Sequence, residues 1–278
     1  MPLEQQMAYV ASAPAMNAGF LWKIEKDERT SWLYGTMHLN HIDFAKPGSQ
    51  IMMGMRNSDV LAVEVNPYDQ HAATTSAIMP TTIKLSSSQL EKLRKAYAKD
   101  CVVFNAANIS SIGAISPLFI TQAQRQALFS GFSPDSRLAQ IARRTGKPIV
   151  SLETLEQQIA ALTPSSQAEF DQIFESALIN FESGKMEAEL LQLNMAWRQS
   201  DWPTIIKLEQ DMTANQPAFA ARLLDQRNML MAEKINALHQ EGKRVFVAVG
   251  AMHMAGKTAL PKLLQDKGFI VKVVPLRN

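Results

Sequence analysis

Two short blocks of the sequence place a histidine after an apolar segment in the same way. The pattern Gly-x-x-His occurs at residues 35–38 and again at residues 250–253, each time directly after a run of apolar residues. Imidazole is the commonest metal ligand among protein side chains. A fold that made the two preceding segments neighbours would bring both rings to one place. The spacing therefore predicts a shared site built on His38 and His253.

Two acidic residues occupy similar places in other apolar segments. Glu64 lies near the end of residues 60–65, and Glu153 ends residues 149–153. An unpaired carboxylate in apolar surroundings costs several kcal/mol, so Glu64 needs a cation, a metal ion, a proton or a solvent-facing edge strand. Glu153 has a second interpretation, which is to cap the helix that follows. Two imidazoles with one or two carboxylates suit Zn²⁺, Mn²⁺ or Fe²⁺.

A basic residue on the last long predicted helix bears on the same site. Arg227 shares a helix face with apolar residues at steps of four, which places its guanidinium on the apolar side. A buried arginine needs a carboxylate partner, so we expect Arg227 to pair with Glu64 or Glu153 or to hold an anionic part of a substrate. The alternative is a side chain that extends to the edge of the helix. Asn228 could add a hydrogen bond.

Other motifs are weaker candidates. His41 could be a further ligand, although a surface loop is the simpler interpretation, and Asp135 is expected to stabilise a helix start after Ser133 and Pro134. The sequence contains no phosphate-binding glycine loop, no Gly-x-Ser-x-Gly elbow and no His-Glu-x-x-His helix.

The candidate side chains need strands that end at a common edge. Apolar runs with turn residues between them predict strands at residues 20–25, 31–34, 60–65, 149–153, 245–249 and 269–274. In open α/β sheets the ligand site lies beyond the carboxyl ends of the strands. Gly35 and Gly250 lie where a strand gives way to a loop, and they allow a positive φ or a close backbone approach there.

The distribution of elements predicts one fold class. Strands near both ends and helices at about residues 82–230 predict an α/β fold, in which N- and C-terminal strands build a mixed sheet that carries a helical insertion. We expect residues 1–19 to be a flexible tail and residues 20–278 to be a single domain. The periodicity does not give the order of the strands.

Composition excludes several classes of function. The chain has 278 residues, 46% of them apolar, a net charge of +2 and 7% aromatic residues, so no polybasic or basic–aromatic surface indicates nucleic acid or anionic lipid. Cys101 is the only cysteine, which excludes an intrachain disulfide and a cysteine zinc site. No apolar stretch is long enough to span a bilayer.

The N-terminal residues leave the cellular compartment open. Residues 1–18 lack the basic start and apolar centre of an intact signal peptide. The small residues at 11–15 could be the remainder of a trimmed leader or part of a disordered tail. The protein is therefore expected to be exported if a leader was removed and cytoplasmic otherwise.

The chain resembles the TraB/GumN family, which includes the pheromone-shutdown proteins of conjugative plasmids and is related to the animal Tiki proteases. The resemblance rests on motifs that occur in the family's order, at residues 21–23, 34–38, 59–64, 135–153, 226–228 and 247–256. It implies a fold like that of erythromycin esterases and ChaN-type haem-binding proteins. It also implies a paired Gly-x-x-His signature, which the Tiki branch associates with metal-dependent peptide cleavage.

Carried over by position, the resemblance implies that His38, His253 and Glu64 are metal ligands or active-site groups, with Glu153 and Arg227 close by. The hypothesis is a metal-dependent hydrolase that cleaves peptides with Mn²⁺, Co²⁺ or Zn²⁺. Glu153 would be the general base, and Arg227 would orient Glu64 or stabilise the oxyanion.

Two alternatives remain at this point. The same scaffold could bind a peptide, haem or metal without chemistry, as a pheromone-control protein would, or it could be an esterase for small molecules. The expected partner is accordingly a peptide or a small-molecule substrate.

Overall fold

Six strands form one sheet in the part of the chain that the computed structural model describes, which is residues 3–69, 83–103 and 113–277. The strands are β1 (Phe20–Lys26), β2 (Arg29–Thr36), β3 (Val60–Val63), β4 (Ile149–Ser151), β5 (Val245–Gly250) and β6 (Ile270–Val274). Their order across the sheet is β4-β3-β5-β2-β1-β6. The predicted α/β fold with a mixed sheet from both ends of the chain is confirmed.

Four neighbouring strands of this sheet run in the same direction. β3 pairs in parallel with β4 and with β5, and β5 pairs in parallel with β2. β1 is antiparallel to both β2 and β6. The register places Gly35 opposite Val249 and Thr36 opposite Gly250. The segments that precede the two histidines are therefore adjacent, and their carboxyl ends lie at the same edge.

The two central strands are buried on both faces. Every residue of β3 and β5 is buried, as expected for a parallel sheet covered on both sides. Phe246, Leu61 and Val247 are fully enclosed in the core that surrounds the sheet. Each such side chain contributes about 1.5 to 3 kcal/mol by leaving water, so the strand ends rest on a rigid platform.

Helices fill most of the rest of the described chain. They are α1 (Leu3–Ser12), α2 (Ser49–Arg56), α3 (Ser87–Lys99), α4 (Ser116–Arg125), α5 (Pro134–Arg144), α6 (Leu155–Leu162), α7 (Gln167–Glu182), α8 (Lys185–Arg198), α9 (Trp202–Asn215), α10 (Pro217–Ala220), α11 (Gln226–Gln240) and α12 (Leu260–Asp266). Helices α3 to α10 lie in the predicted insertion, which β4 interrupts and which also spans residues 104–112, outside the described ranges. Residues 3–12, expected to belong to a flexible tail, form α1.

Local sequence signals explain several helix starts. Ser86 and Thr154 each form a capping box with a glutamine three residues later, which satisfies two backbone N–H groups at each start. Ser133 accepts the backbone N–H of Ser136, and Pro134 occupies the first turn of α5, as predicted. This cap fixes Asp135 at the beginning of α5.

One helix of the insertion anchors the chain next to the first histidine. Trp197 on α8 donates its indole N–H to the carbonyl of Gly35 at 2.8 Å. Asn194, one turn earlier, donates to the carbonyl of Leu39 at 3.3 Å. These bonds hold the chain on both sides of residues 36–38 and so fix the path that carries His38 over the sheet edge.

No helix in the described ranges combines the length and the apolar character that a bilayer crossing would require.

Candidate functional site

Three candidate side chains meet beyond the carboxyl ends of β2, β3 and β5. Nε2 of His38 lies 3.5 Å from Oε1 of Glu64, and Nε2 of His253 lies 3.7 Å from the same oxygen. His253 comes from the short 3-10 helix at Ala251–Met254, which follows β5 directly. Both separations are longer than a normal hydrogen bond. Three potential donor atoms for a metal therefore converge on one point.

The hydrogen bonds of Asn228 determine the tautomer of His253. The amide nitrogen of Asn228 donates to the carbonyls of His253 and Thr258 at 3.2 and 2.9 Å, which fixes the orientation of the amide. Its oxygen lies 2.6 Å from Nδ1 of His253 and can only accept, so Nδ1 carries the hydrogen. Burial lowers the pKa of His253, so the ring is neutral and its Nε2 lone pair points towards Glu64.

A carboxylate orients the other ring in the same way. Nδ1 of His38 lies 3.1 Å from Asp135, whose other oxygen accepts the hydroxyl of Thr36 at 2.5 Å. Burial lowers the pKa of His38, but the charges of Glu64 and Asp135 outweigh it and raise the pKa well above the ordinary value. The attraction prevails because the two carboxylates lie on either side of the ring, 3.5 and 3.1 Å from its nitrogens. His38 thus holds a proton where a metal ion would also be attracted.

Glu64 is buried and remains ionised. Burial raises the pKa of Glu64, but both histidines, Arg227 and the backbone N–H of Gly250 together lower it below the ordinary value. Gly250 donates that N–H to Oε1 at 2.8 Å, and Arg227 donates to Oε2 at 2.7 Å. The carboxylate therefore keeps its negative charge at the centre of the cluster.

Arg227 joins the two buried glutamates. Its Nε and Nη2 donate to the two oxygens of Glu153 at 2.8 and 2.6 Å, while Nη2 also reaches Glu64. Gln158 donates to both carboxylates at 3.2 and 3.3 Å. The predicted pairing of Arg227 is confirmed, with both candidate partners at once. Glu153 is only 2% exposed, and a buried carboxylate needs such a partner.

A local irregularity in the backbone precedes this arginine. Residues Ala221–Asp225 form a π-helical turn, and the carbonyl of Leu223 within it accepts Nη1 of Arg227 at 2.9 Å. A π turn widens the helix and frees carbonyls from the usual pattern, and such turns are frequent at functional sites. The guanidinium is thereby held on three sides.

The glycines act through close approach. A Cβ on Gly35 would lie 3.3 Å from both the Cα of Ala251 and the Cγ of Met254, so its absence lets the two Gly-x-x-His segments pack together. Gly250 has an ordinary negative φ of −51°. Of the two explanations offered for these glycines, the structure therefore supports close approach.

The structure also places the two weaker candidates. His41 lies apart from the cluster, where its Nδ1 pairs with Asp43 at 3.0 Å. Asp135, expected only to stabilise a helix start, also contacts Thr36 and His38. The capping signal at Ser133 located Asp135 on its helix, but nothing in the sequence pattern indicated which strand end that helix start faces. The catalytic and metal-binding roles of the candidate residues stay predictions.

The cluster can be compared with the needs of a divalent ion. Within the described ranges, no group of three or more histidine, cysteine, aspartate or glutamate side chains has the geometry of a ready metal site. The donor chemistry nevertheless fits. Two ligands of one zinc ion lie about 3.3 to 3.6 Å apart at tetrahedral angles, close to the separations between Glu64 and the two imidazoles. The lone pair of His253 and the carboxylate of Glu64 both attract a cation. Protonated His38 supplies that charge here, and its side chain is exposed enough to adjust.

The space between these donors leads to a prediction for Gly250→Ala. The added Cβ would lie 3.2 Å from Nε2 of His38, 3.4 Å from Oε1 of Glu64 and 3.6 Å from Cδ2 of His253. Because alanine tolerates this backbone conformation, we expect a folded variant whose affinity for Zn²⁺ or Mn²⁺ falls about 10- to 100-fold. Titration against a chromophoric chelator measures this affinity.

The matched control is Gly131→Ala, since a Cβ at Gly131 meets nothing within 4 Å. Its metal affinity should equal that of the unmodified protein. If Gly250→Ala also binds the ion with unchanged affinity, the ion does not lie among these three side chains.

Sequence similarity relates the chain to a known protein family. A model of the TraB/PrgY/gumN family matches residues 20–273. The uncharacterized protein YbaP of Shigella flexneri is 28% identical over 242 residues, which cover 85% of this chain and 88% of YbaP. YbaP of Escherichia coli strain K12, also uncharacterized, is 28% identical over 238 residues, or 84% of this chain and 87% of its own length. No solved structure gives a significant match.

Proposed function

The chain belongs to the TraB/PrgY/gumN family, and from this membership and the cluster described above we propose that it is a metal-dependent hydrolase that cleaves peptides. One observation carries the proposal. The neutral Nε2 of His253 faces the ionised Oε1 of Glu64 at 3.7 Å, and a second imidazole approaches the same oxygen at 3.5 Å. A divalent ion in place of the His38 proton would have these three donor atoms around it.

His38, His253 and Glu64 would hold one divalent ion such as Zn²⁺, Mn²⁺ or Co²⁺. When bound, the ion supplies a Lewis acid that polarises a carbonyl and lowers the pKa of a water molecule. Asp135 and Asn228 orient the two imidazoles through their Nδ1 atoms, so that Nε2 of His253 has a free lone pair and Nε2 of His38 would have one after loss of its proton.

Proton transfer requires a carboxylate that water can reach. The side chain of Asp135 is 22% exposed, against 7% for Glu64 and 2% for Glu153. We therefore propose that Asp135 acts as the general base and then as the general acid. It takes a proton from the water that attacks the scissile carbonyl and gives it to the leaving amine as the C–N bond breaks.

Glu153 takes a different part in this proposal from the one that the sequence indicated. Both of its oxygens accept hydrogen bonds from Arg227, so it acts as a positioning residue for the guanidinium. Arg227 in turn keeps Glu64 ionised and oriented. The interpretation of Glu153 as a general base stays a prediction. Comparing the peptide turnover of Glu153→Gln with that of Asp135→Asn would decide which carboxylate is the base.

The proposal is tested by metal content and peptide turnover in the same preparation. We expect the purified protein to carry up to one equivalent of a divalent ion, to cleave peptides from a mixed library, to lose that turnover with a chelator and to regain it with Zn²⁺, Mn²⁺ or Co²⁺. Library digestion followed by mass spectrometry measures the products. Turnover that is unaffected by chelation, or capture of a peptide without any product in the metal-loaded protein, would contradict the proposal.

A further inference from the structure

A large cleft with an apolar wall lies beside the cluster. Its volume is about 870 Å³, within the range of sites that enclose small ligands. Apolar residues form much of the wall, among them Leu39, Ile120, Phe129 and Phe132, and Val10 and Ala11 of α1 also line it. Ile120 and Phe129 are 46% and 39% exposed, and the rings of Phe129 and Phe132 pack edge to face at 5.8 Å. Water thus contacts apolar surface that a ligand would cover.

Two short segments of chain connect the cleft wall with the candidate site. Leu39 follows His38 in the chain, and the next residue, Asn40, exchanges backbone hydrogen bonds with Phe129 at 3.1 and 2.9 Å. Phe132 comes immediately before the cap of α5, which carries Asp135 in its first turn. Leu39 and Phe132 of the apolar wall therefore lie within three positions of His38 and Asp135 in the chain.

The charges on the cleft wall all have the same sign. Lys46, Arg137 and Arg144 line it, and no aspartate or glutamate does so among the residues that the structure describes. Arg137 is held in place, since its Nε donates to the carbonyl of Ala45 at 2.9 Å and its Nη1 to Gln140 at 2.7 Å. Burial and the nearby charge of Arg144 both lower the pKa of Arg137, so an anion between the two guanidinium groups would relieve their repulsion.

We infer that this cleft binds the carboxyl-terminal end of a peptide, with the apolar last side chains on Ile120, Phe129 and Phe132 and the terminal carboxylate at Arg137 and Arg144. A guanidinium pair binds a carboxylate through charge-assisted hydrogen bonds. The inference deepens the proposed function and rests on it for one consequence, which is that cleavage releases a short C-terminal fragment. The binding itself does not depend on turnover.

The test compares two forms of one peptide. The probe is a fluorescent pentapeptide that ends in leucine and phenylalanine, prepared as the free acid and as the C-terminal amide. Fluorescence anisotropy is measured on the full chain with EDTA present, so that the peptide stays intact. We expect the acid to bind about tenfold more tightly than the amide, because the amide loses a charge-assisted interaction. In Arg144→Gln this preference should fall to less than about threefold.

Arg143→Gln is the matched control. Arg143 directly precedes Arg144 on α5, but its guanidinium lies 4.7 Å from the centre of the Tyr68 ring and does not line the cleft. This variant should keep the full preference for the acid. Equal affinity for acid and amide, no binding of either form in the millimolar range, or equal effects of the two substitutions would overturn the inference.

The binding and turnover results separate the two proposals. A preference for the acid without cleavage of any peptide in the metal-loaded protein would remove the proposed function and leave this inference standing. Metal-dependent cleavage of the acid and the amide at equal rates, with equal affinities, would support the proposed function and remove this inference.

Discussion

Replacing Arg227 with alanine should destabilise the folded protein by about 3 to 5 kcal/mol. Arg227 is 6% exposed, and its guanidinium donates to Glu64 and Glu153, which are themselves buried. Its removal leaves two carboxylates without their main cation and the carbonyl of Leu223 without its donor. Urea denaturation, followed by circular dichroism, measures the free energy of unfolding.

Two further variants make this prediction specific. Arg244→Ala removes an arginine that also pairs bidentately with a carboxylate, Asp59, but at the surface, so its effect should be much smaller. Adding Glu153→Gln to Arg227→Ala should restore part of the stability, because one buried charge disappears with the arginine. Similar losses in Arg227→Ala and Arg244→Ala would contradict the account of Arg227 as the cation that holds two buried acids.

His38→Ala should reduce metal-dependent peptide turnover by about a thousandfold or more, because the loss of one ligand removes several kcal/mol of transition-state stabilisation. The side chain of His38 is 60% exposed, so the variant should fold, with a smaller loss of stability than a fully buried residue would cause. His253→Ala should abolish turnover similarly, but its ring is buried and bonded to Asn228, so stability should fall as well. Initial rates with a cleaved library peptide measure the effect.

His41→Ala is the control for this comparison. His41 is close to His38 in the chain but pairs with Asp43 outside the cluster. Its substitution should leave turnover within about a factor of two. Turnover that survives both His38→Ala and His253→Ala would remove the metallohydrolase from consideration.

The sequence predicted the elements of the fold better than their arrangement. Short β-branched runs such as residues 60–63 and 245–249 identify buried strands, because a parallel sheet covered on both faces needs apolar residues at every position. Because the buried strands share this apolar pattern, the sequence does not show which strand pairs with which. The placement of β5 between β2 and β3 therefore came only from the structure.

The candidate site was predictable where a polar residue interrupts an apolar pattern. Glu64 and Arg227 occupy such positions, and burial without a partner would be costly for each, so their pairing could be anticipated. Asp135 lies in a polar helix start that capping explains completely, so its contact with His38 had no separate signal. The π-helical turn before Arg227 was also beyond reach, because its residues read as ordinary helix.

The most direct test of the central claim is a map of anomalous scattering from crystals grown with Mn²⁺ or Zn²⁺. We expect one strong peak among Nε2 of His38, Nε2 of His253 and Oε1 of Glu64, and no peak there in crystals of His38→Ala. A map with peaks only at other places, and with no ion among the two imidazoles and Glu64, would contradict the proposed metal site.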